Sequence, residues 1–359
     1  MQVPNCRELG APVVRIVPMS KPILRPSICL LLFASFATTA MASGCTGKYR
    51  RPITPEKVSA SPERIARGGY IVNQAASCGA CHTPREGDSI LGGERTDAFL
   101  AGGSVITESE LGATVAVPNL TADVETGLGA WSDDEIMRAI RDGIGRDGHL
   151  MIPMMPFNSY QHMSDEDLRS VVAYLRTVPA VKNPVDRSQN KLPFVAGFFL
   201  GRGVAHHLPT HDVVAPPAPS RGGDPIKHGE YVARLGHCSD CHSDKNGRGP
   251  DDDWLFGGGN PMNTNNVGRI YVGNLTPDVE TGLGKFTAAQ VKESLRTGKR
   301  LDGRPMAPPM SLFIPHLSGI TDEDMDAMIA YLRAQKPIKN AVKARELNIE
   351  TKKALATDQ

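Results

Sequence analysis

A chain of 359 residues is long enough for two domains of ordinary size, each burying its own core. Only 5% of the residues are aromatic, low for that size, so bulky apolar cofactors are expected to complete the cores. The 40 basic and 39 acidic residues nearly cancel, and removing residues 1–45 leaves a net charge near −2, which excludes the electrostatic footprint of a nucleic-acid binder.

The amino terminus reads as a secretory signal. Ser27 to Ala42 is apolar, follows Lys21 and Arg25, ends in small residues and is short for a bilayer span. A start at Met19 would give it normal proportions. Two cleavage readings stay open. Ala40-Met41-Ala42 fits a signal peptidase, whereas Ala42-Ser43-Gly44-Cys45 resembles a bacterial lipobox with Ala where Leu is usual. The first gives a periplasmic protein, and the second a lipoprotein anchored through Cys45. Of the seven cysteines, Cys6 and Cys29 leave with the signal, and four remain beyond Cys45.

Those four form two copies of one motif, Cys78-Gly-Ala-Cys81-His82 and Cys238-Ser-Asp-Cys241-His242. Two thiols three positions apart can add to the two vinyl groups of one haem, while the adjacent imidazole supplies a nitrogen to its iron. A thioredoxin-like redox pair has no need of that histidine, and a zinc site would pool the two pairs into one cluster. Two covalently bound c-type haems, with His82 and His242 on the irons, are therefore expected.

Each motif follows a short helical segment with Gly68-Gly-Tyr70 or Gly229-Glu-Tyr231, whose first glycine lets it approach a neighbouring helix. Beyond the motifs, Asn119-Leu-Thr-Ala-Asp-Val-Glu-Thr-Gly-Leu-Gly129 recurs as Asn274-Leu-Thr-Pro-Asp-Val-Glu-Thr-Gly-Leu-Gly284, so the chain is an internal duplication. Capping boxes at Ser132-x-x-Glu135 and Thr287-x-x-Gln290 open a helix in each copy, and Gly143 and Gly298 close it. A second amphipathic helix begins at Ser164-Asp-Glu-Asp and at Thr321-Asp-Glu-Asp, with acids in the first turn and Leu168, Val171, Val172 and Leu175 on one stripe. These signals give an all-α fold of two tandem domains, residues 58–182 and 225–340. Residues 183–224, rich in Pro, Gly and His, read as an extended linker with an apolar piece at 192–200, and residues 341–359 as a polar tail.

Aligning the copies on Asp147-Gly148 and Asp302-Gly303 sets Met155 opposite Met310 and Met151 opposite Met306. Met155 and Met310 follow a proline-rich turn and are the preferred sixth ligands. Met154 has Pro309 as its counterpart and is the weaker candidate. His149, His162, His206, His207, His211, His228, His237 and His316 do not recur at matching positions and read as solvated or linker histidines. Pro250 and, less well, Pro84 are candidate carbonyl acceptors for the N–H of His242 and His82. Trp131 could reach a haem propionate, but its counterpart Phe286 cannot, so the two haems are expected to differ in potential.

The run Cys78-Gly-Ala-Cys-His-Thr-Pro84, Ala98-Phe-Leu-Ala-Gly-Gly103, Pro118-Asn-Leu-Thr, Gly127-Leu-Gly-Ala-Trp131, Met155-Pro156 with Tyr160, and Ser164-Asp-Glu-Asp-Leu with Tyr174-Leu175-Arg176 resembles the class I cytochrome c fold. In particular it resembles the multihaem cytochrome c subunits of bacterial membrane-bound alcohol, gluconate and related sugar-acid dehydrogenases. The resemblance covers most of residues 60–180 and, more loosely, 225–337. It implies covalent haem at Cys78, Cys81, Cys238 and Cys241, with axial His82, His242, Met155 and Met310. Such subunits commonly hold three haem domains and this chain shows two; residues 336–359 are polar rather than an amphipathic membrane segment.

A periplasmic electron carrier is thus expected, taking single electrons from a dehydrogenase and passing them to a quinone, another cytochrome or an oxidase. With no flavin, nicotinamide or quinone-cofactor motif, substrate oxidation would fall to a partner. The alternative is a dihaem enzyme, peroxidase-like or thiosulfate-oxidising. Methionine in both copies and the lack of a spare cysteine count against it.

Overall fold

Each copy is built from the same short helices, and their ends follow from local chemistry. The computed structural model describes residues 53–108, 112–148, 151–152, 154–191, 217–243, 253–264 and 267–357. The signal segment, Cys45, the apolar piece 192–200 and Pro250 lie outside them. In the first copy α1 (Pro62–Tyr70) starts on a Ser61 cap with proline in its first turn and runs into a π-helical turn, Ile71–Ala75. Then come α2 (Gly79–His82), strands β1 (Val105–Glu108) and β2 (Ala113–Ala116), α3 (Asp133–Asp142), α4 (Phe157–Tyr160) and α5 (Asp165–Leu175).

The second copy repeats this order as α6 (Pro225–Leu235), α7 (Cys238–His242), β3 (Pro261–Thr264), β4 (Gly268–Tyr271), α8 (Ala288–Thr297), α9 (Met310–Leu317) and α10 (Asp322–Arg333). It ends with β5 (Glu346–Leu347) and α11 (Ile349–Thr357). Both capping boxes are made in full, and Gly143 and Gly298 close their helices at φ 66° and 70°, a left-handed turn that costs glycine little.

The fold is mainly helical but not purely so. β1 and β2 pair antiparallel (Ile106 with Val115, Thr107 with Thr114), and β3, β4 and β5 form a three-stranded sheet. β-Branched side chains favour such a hairpin over another helical turn. Each hairpin also recruits chain from beyond its terminal helix. Thr114 bridges Lys191, and Arg269 pairs with Glu346 at the corresponding place, 155 residues on. Residues 183–191, linker by composition, thus bond to the first domain through Asn183, Asn190 and Lys191.

The first glycine of each N-terminal helix sets the main packing contact. A Cβ on Gly68 would lie 1.8 Å from the Ser170 carbonyl oxygen, and one on Gly229 would lie 1.9 Å from that of Ala327. Only glycine lets α1 meet α5, and α6 meet α10, backbone to backbone.

Residues 48–359 form one compact unit, and the two copies interlock within it. Tyr231 of the second copy is buried in the hydrophobic cluster of Ile71, Val72, Leu168 and Val172, while Tyr70 of the first packs against that of Val232, Met325, Met328 and Ile329. The exchange is reciprocal in its polar ends as well. Tyr70 Oη donates to Asp324 at 2.5 Å and accepts from Thr321 N; Tyr231 Oη donates to Asp167 at 2.7 Å and accepts from Ser164 N. Arg67 clamps Asp167 with two bonds, whereas Arg221 and His228 share Asp324. No helix among the described residues is long and apolar enough to cross a membrane.

Candidate functional site

Both Cys-x-x-Cys-His motifs occupy short helices introduced by a non-glycine residue in the left-handed region, Ser77 at φ 52° and His237 at φ 42°. Such backbone is rare outside Gly, Asn and Asp, and it recurs at the equivalent position of each copy. It turns the chain sharply between the N-terminal helix and the motif. All four cysteines are of intermediate exposure. Burial pushes the Cys78 and Cys238 thiols up to about 12. Burial and then Cys241 of the second motif push Cys81 up to about 11.

The histidines are held identically. His82 Nδ1 donates to the Pro118 carbonyl at 2.9 Å, and His242 Nδ1 to that of Gly273 at 2.8 Å. The carbonyl oxygens of the same two histidines accept from Gly102 N and Gly258 N, both at 2.7 Å. With Nδ1 spent as a donor, Nε2 keeps its lone pair for a metal, the arrangement expected of a metal-ligating imidazole. Burial lowers both imidazole pKa values, which favours the neutral, ligating form.

This corrects the expected acceptors. The Pro84 carbonyl accepts from Arg95 N instead, and Pro250 lies outside the described residues. The true acceptors immediately precede Asn119 and Asn274, which explains why that block is nearly identical in the two copies. Asn119 Nδ2 donates to Thr126 Oγ1 and to the Val181 carbonyl while its Oδ1 accepts from Thr121 N; Asn274 does the same with Thr281, Ile338 and Thr276. Each buried asparagine therefore ties the acceptor loop to the chain leaving the terminal helix. Asn183 and Asn340 brace the other side, donating to carbonyls of Ala101 and Gly102, and of Gly257 and Gly258. The duplicated block signals the first pair; Asn183 and Asn340 fall outside it.

Met155 packs on the first hydrophobic cluster, as Cys78 does, and Met310, with Cys238, on the second. Met151 and Met306 are used differently, their amides bonding the carbonyls of the helix-capping Gly143 and Gly298. Met154 is half-buried. Trp131 also packs on the first cluster and Phe286 on the second.

Two histidines read as solvated are not. His228 is buried on Asp324 at 2.7 Å. His316, on α9, is 7% exposed, with Nδ1 on the Asn73 carbonyl and Nε2 on Glu94, both at 2.9 Å. It is wedged against Gly79 of the opposite motif, where a Cβ would stand 2.8 Å from its Cε1. His237 stacks edge-on with Phe313. His149, His206, His207 and His211 lie outside the described residues.

The two sites differ in exposure. His82 is buried, while His242 is only partly so.

The family model for cytochrome c matches twice, at residues 65–179 and 226–336. Among characterised proteins, the fructose dehydrogenase cytochrome subunit of Gluconobacter japonicus is 30% identical over 84% of this chain and 59% of its own length. The dihaem c-type cytochrome of Cereibacter sphaeroides is 29% identical over 84% of this chain and 97% of its own. The gluconate 2-dehydrogenase cytochrome c subunit of Pantoea cypripedii is 26% identical over 75% and 59%. The chain thus spans about six tenths of the length of the dehydrogenase subunits and nearly all of the dihaem protein. Its cofactors are two c-type haems with their iron. By both domain matches the chain belongs to the cytochrome c family.

Proposed function

We propose that the protein is a periplasmic dihaem electron carrier, with Cys78, Cys81, His82 and Met155 holding one haem and Cys238, Cys241, His242 and Met310 the other. The observation that carries this reading is the paired histidine geometry. In each copy Nδ1 is committed to a backbone carbonyl, Nε2 is left for iron, and a cysteine and a methionine pack on one apolar cluster. A haem so held supplies reversible one-electron chemistry. Met155 and Met310 would each offer a thioether sulfur to the iron, which would raise its potential and suit conduction rather than turnover.

The chain's part is to hold the two centres rigidly. Because the copies exchange their tyrosines, the two haem-holding domains would keep a fixed arrangement, which would suit passage of an electron from one to the other without domain movement. The names of two relatives, cytochrome subunits of a fructose and a gluconate dehydrogenase, support a dehydrogenase as donor; a quinone, cytochrome or oxidase downstream and a lipid anchor through Cys45 complete the proposal from the sequence alone. Trp131 in the first copy against Phe286 at the matching place in the second supports unequal potentials, since only the indole has an N–H to offer a haem propionate.

The test is a potentiometric titration of the purified holoprotein with peroxide turnover measured alongside. Two reversible one-electron steps with separate midpoints and negligible turnover are expected. Rapid peroxide consumption would establish the dihaem-enzyme alternative, and a single midpoint for two equivalent centres would remove the inequality.

A further inference from the structure

Beside the turn that presents Met306 and Met310, the second domain carries a cluster of cations larger than that of the described residues in the equivalent loop of the first. Between α8 and that turn run Lys299, Arg300, Asp302 and Arg304, with Arg300, Asp302 and Arg304 side chains 42%, 39% and 59% exposed. Asp302 is shared, at 3.4 Å from Arg300 and 2.5 Å from Arg304. Arg345 comes from beyond α10, delivered by pairing of β5 with β4, and donates to the Pro305 carbonyl at 2.9 Å; Pro305 itself bridges Lys299. Arg300 and Arg304 thus share one carboxylate, and Arg345 stands near all three groups. Burial and then repulsion from Arg300 and Arg304 lower the Arg345 pKa, so this like-charge crowding is only partly relieved within the chain.

The equivalent loop of the first domain has Ile144, Gly145 and Arg146, and Arg146 is spent on Glu135 at 3.4 Å. The position matching Arg345 on the ladder is Asn190, neutral and bonded to Ala116 N. At matching positions the second copy thus has Lys299, Arg300 and Arg345 where the first has Ile144, Gly145 and Asn190, while Glu346 stands where the first has Lys191.

We propose that Lys299, Arg300, Arg304 and Arg345 form the face on which a redox partner with a carboxylate-rich surface docks to exchange electrons with the second haem domain. The proposal rests on the carrier reading and adds a direction to it: the second domain is the port for an acidic protein, and the first serves the other partner. Arginine suits this task because its planar fork grips a carboxylate with two bonds. The loop 299–305 has no exposed large hydrophobic residue to set beside its cations, as an interfacial segment needs; Ile349, 71% exposed and four residues beyond Arg345, is the nearest along the chain, so vesicle binding is tested as well.

The experiment uses the full holoprotein and Arg300→Gln/Arg304→Gln, with Arg345 kept because it bonds the Pro305 carbonyl. Reduced protein is oxidised by ferricyanide, an anion, and by tris(phenanthroline)cobalt(III), a cation. Steering by a charged face changes association rates by roughly ten- to a thousandfold. A fall of about tenfold in one of the two ferricyanide phases at low salt, vanishing at high salt, with no slowing by the cobalt complex, is expected. Equal rates for wild type and variant overturn the docking face but leave the carrier reading standing; failure of the wild type to react with either oxidant sinks the carrier reading itself. As a protein-like probe, wild type should adsorb to a carboxylate-terminated monolayer on gold and give a haem wave that the variant loses. Retention of that wave by the variant, with loss instead of binding to phosphatidylglycerol vesicles, would assign the patch to lipid and refute an acidic protein partner.

Discussion

Gly68→Ala and Gly69→Ala, at adjacent positions on the same helix, are expected to have very unequal consequences. A Cβ at Gly68 would stand 1.8 Å from the Ser170 carbonyl oxygen, 2.5 Å from its carbon and 2.8 Å from Tyr174 Cβ. Two of these are backbone atoms within α5, so nothing can swing aside and α1 must lift by about 1 Å, a gap that forfeits a quarter to a half of each dispersion contact. Ile71 and Val72, both fully buried just beyond, would share in that loss. Overpacking of this kind costs about 3 kcal/mol, and alanine returns up to about 1 kcal/mol of helix propensity, leaving a net loss of about 2 kcal/mol. At Gly69 the Cβ would meet only the Tyr174 ring edge at 3.1 and 3.2 Å, which can yield by tenths of an ångström, so Gly69→Ala should lie within about 0.5 kcal/mol of wild type. The assay is guanidinium unfolding of the holoprotein followed in parallel by far-ultraviolet circular dichroism and Soret absorbance; non-coincident transitions would show the domains melting apart. Equal stability of the two variants would refute the close-packing argument, which also predicts that Gly229→Ala behaves like Gly68→Ala.

Three further outcomes follow from the interface and the sites. Tyr70→Phe and Tyr231→Phe should each lose about 1–2 kcal/mol, with Tyr231→Phe the more costly because Tyr231 and its bond from Ser164 N are buried, whereas the bond from Thr321 N to Tyr70 is exposed; thermal melts in which the order is reversed would contradict this. His316 faces Glu94, Arg85 and the Asn73 carbonyl: burial and Arg85 oppose its charge, Glu94 and Asn73 favour it, and the net shift is upward from 6.5. Its raised pKa makes the contribution complete below about pH 6.5 and lost as pH climbs through the folded value, so wild type should lose stability over that rise relative to His316→Gln; parallel pH–stability curves would refute it. Met155→Ala and Met310→Ala should each remove about half of the sulfur-to-iron charge-transfer band in the oxidised protein, and an unchanged band in both would show that other residues occupy the sixth position.

Much of this molecule is legible along the chain because its chemistry is local. Haem attachment needs two thiols and an imidazole within five residues, and helix ends need a hydroxyl three residues before a glutamate or glutamine, or a glycine that can turn left-handed. The duplication doubles each such signal, as at Ser132 and Thr287 or Gly143 and Gly298. What had to wait for the tertiary structure depends on residues brought together from far apart. The acceptors of His82 and His242 are carbonyls 36 and 31 residues away, and a backbone carbonyl has no residue type by which to find it. His316 looks like a surface histidine until Asn73 and Glu94, more than 200 residues earlier, close around it. The exchange of Tyr70 and Tyr231 is likewise invisible in a chain that reads as two beads on a linker, because burial across the interface is decided by how the copies pack. Arg345 joins Arg300 and Arg304 only because β5 adds to β4, so a tail that is merely polar in sequence becomes part of a charged face. Sequence alone thus determined the cofactors and the repeated scaffold; the packing of one copy on the other decided that the scaffold is a single, asymmetric unit.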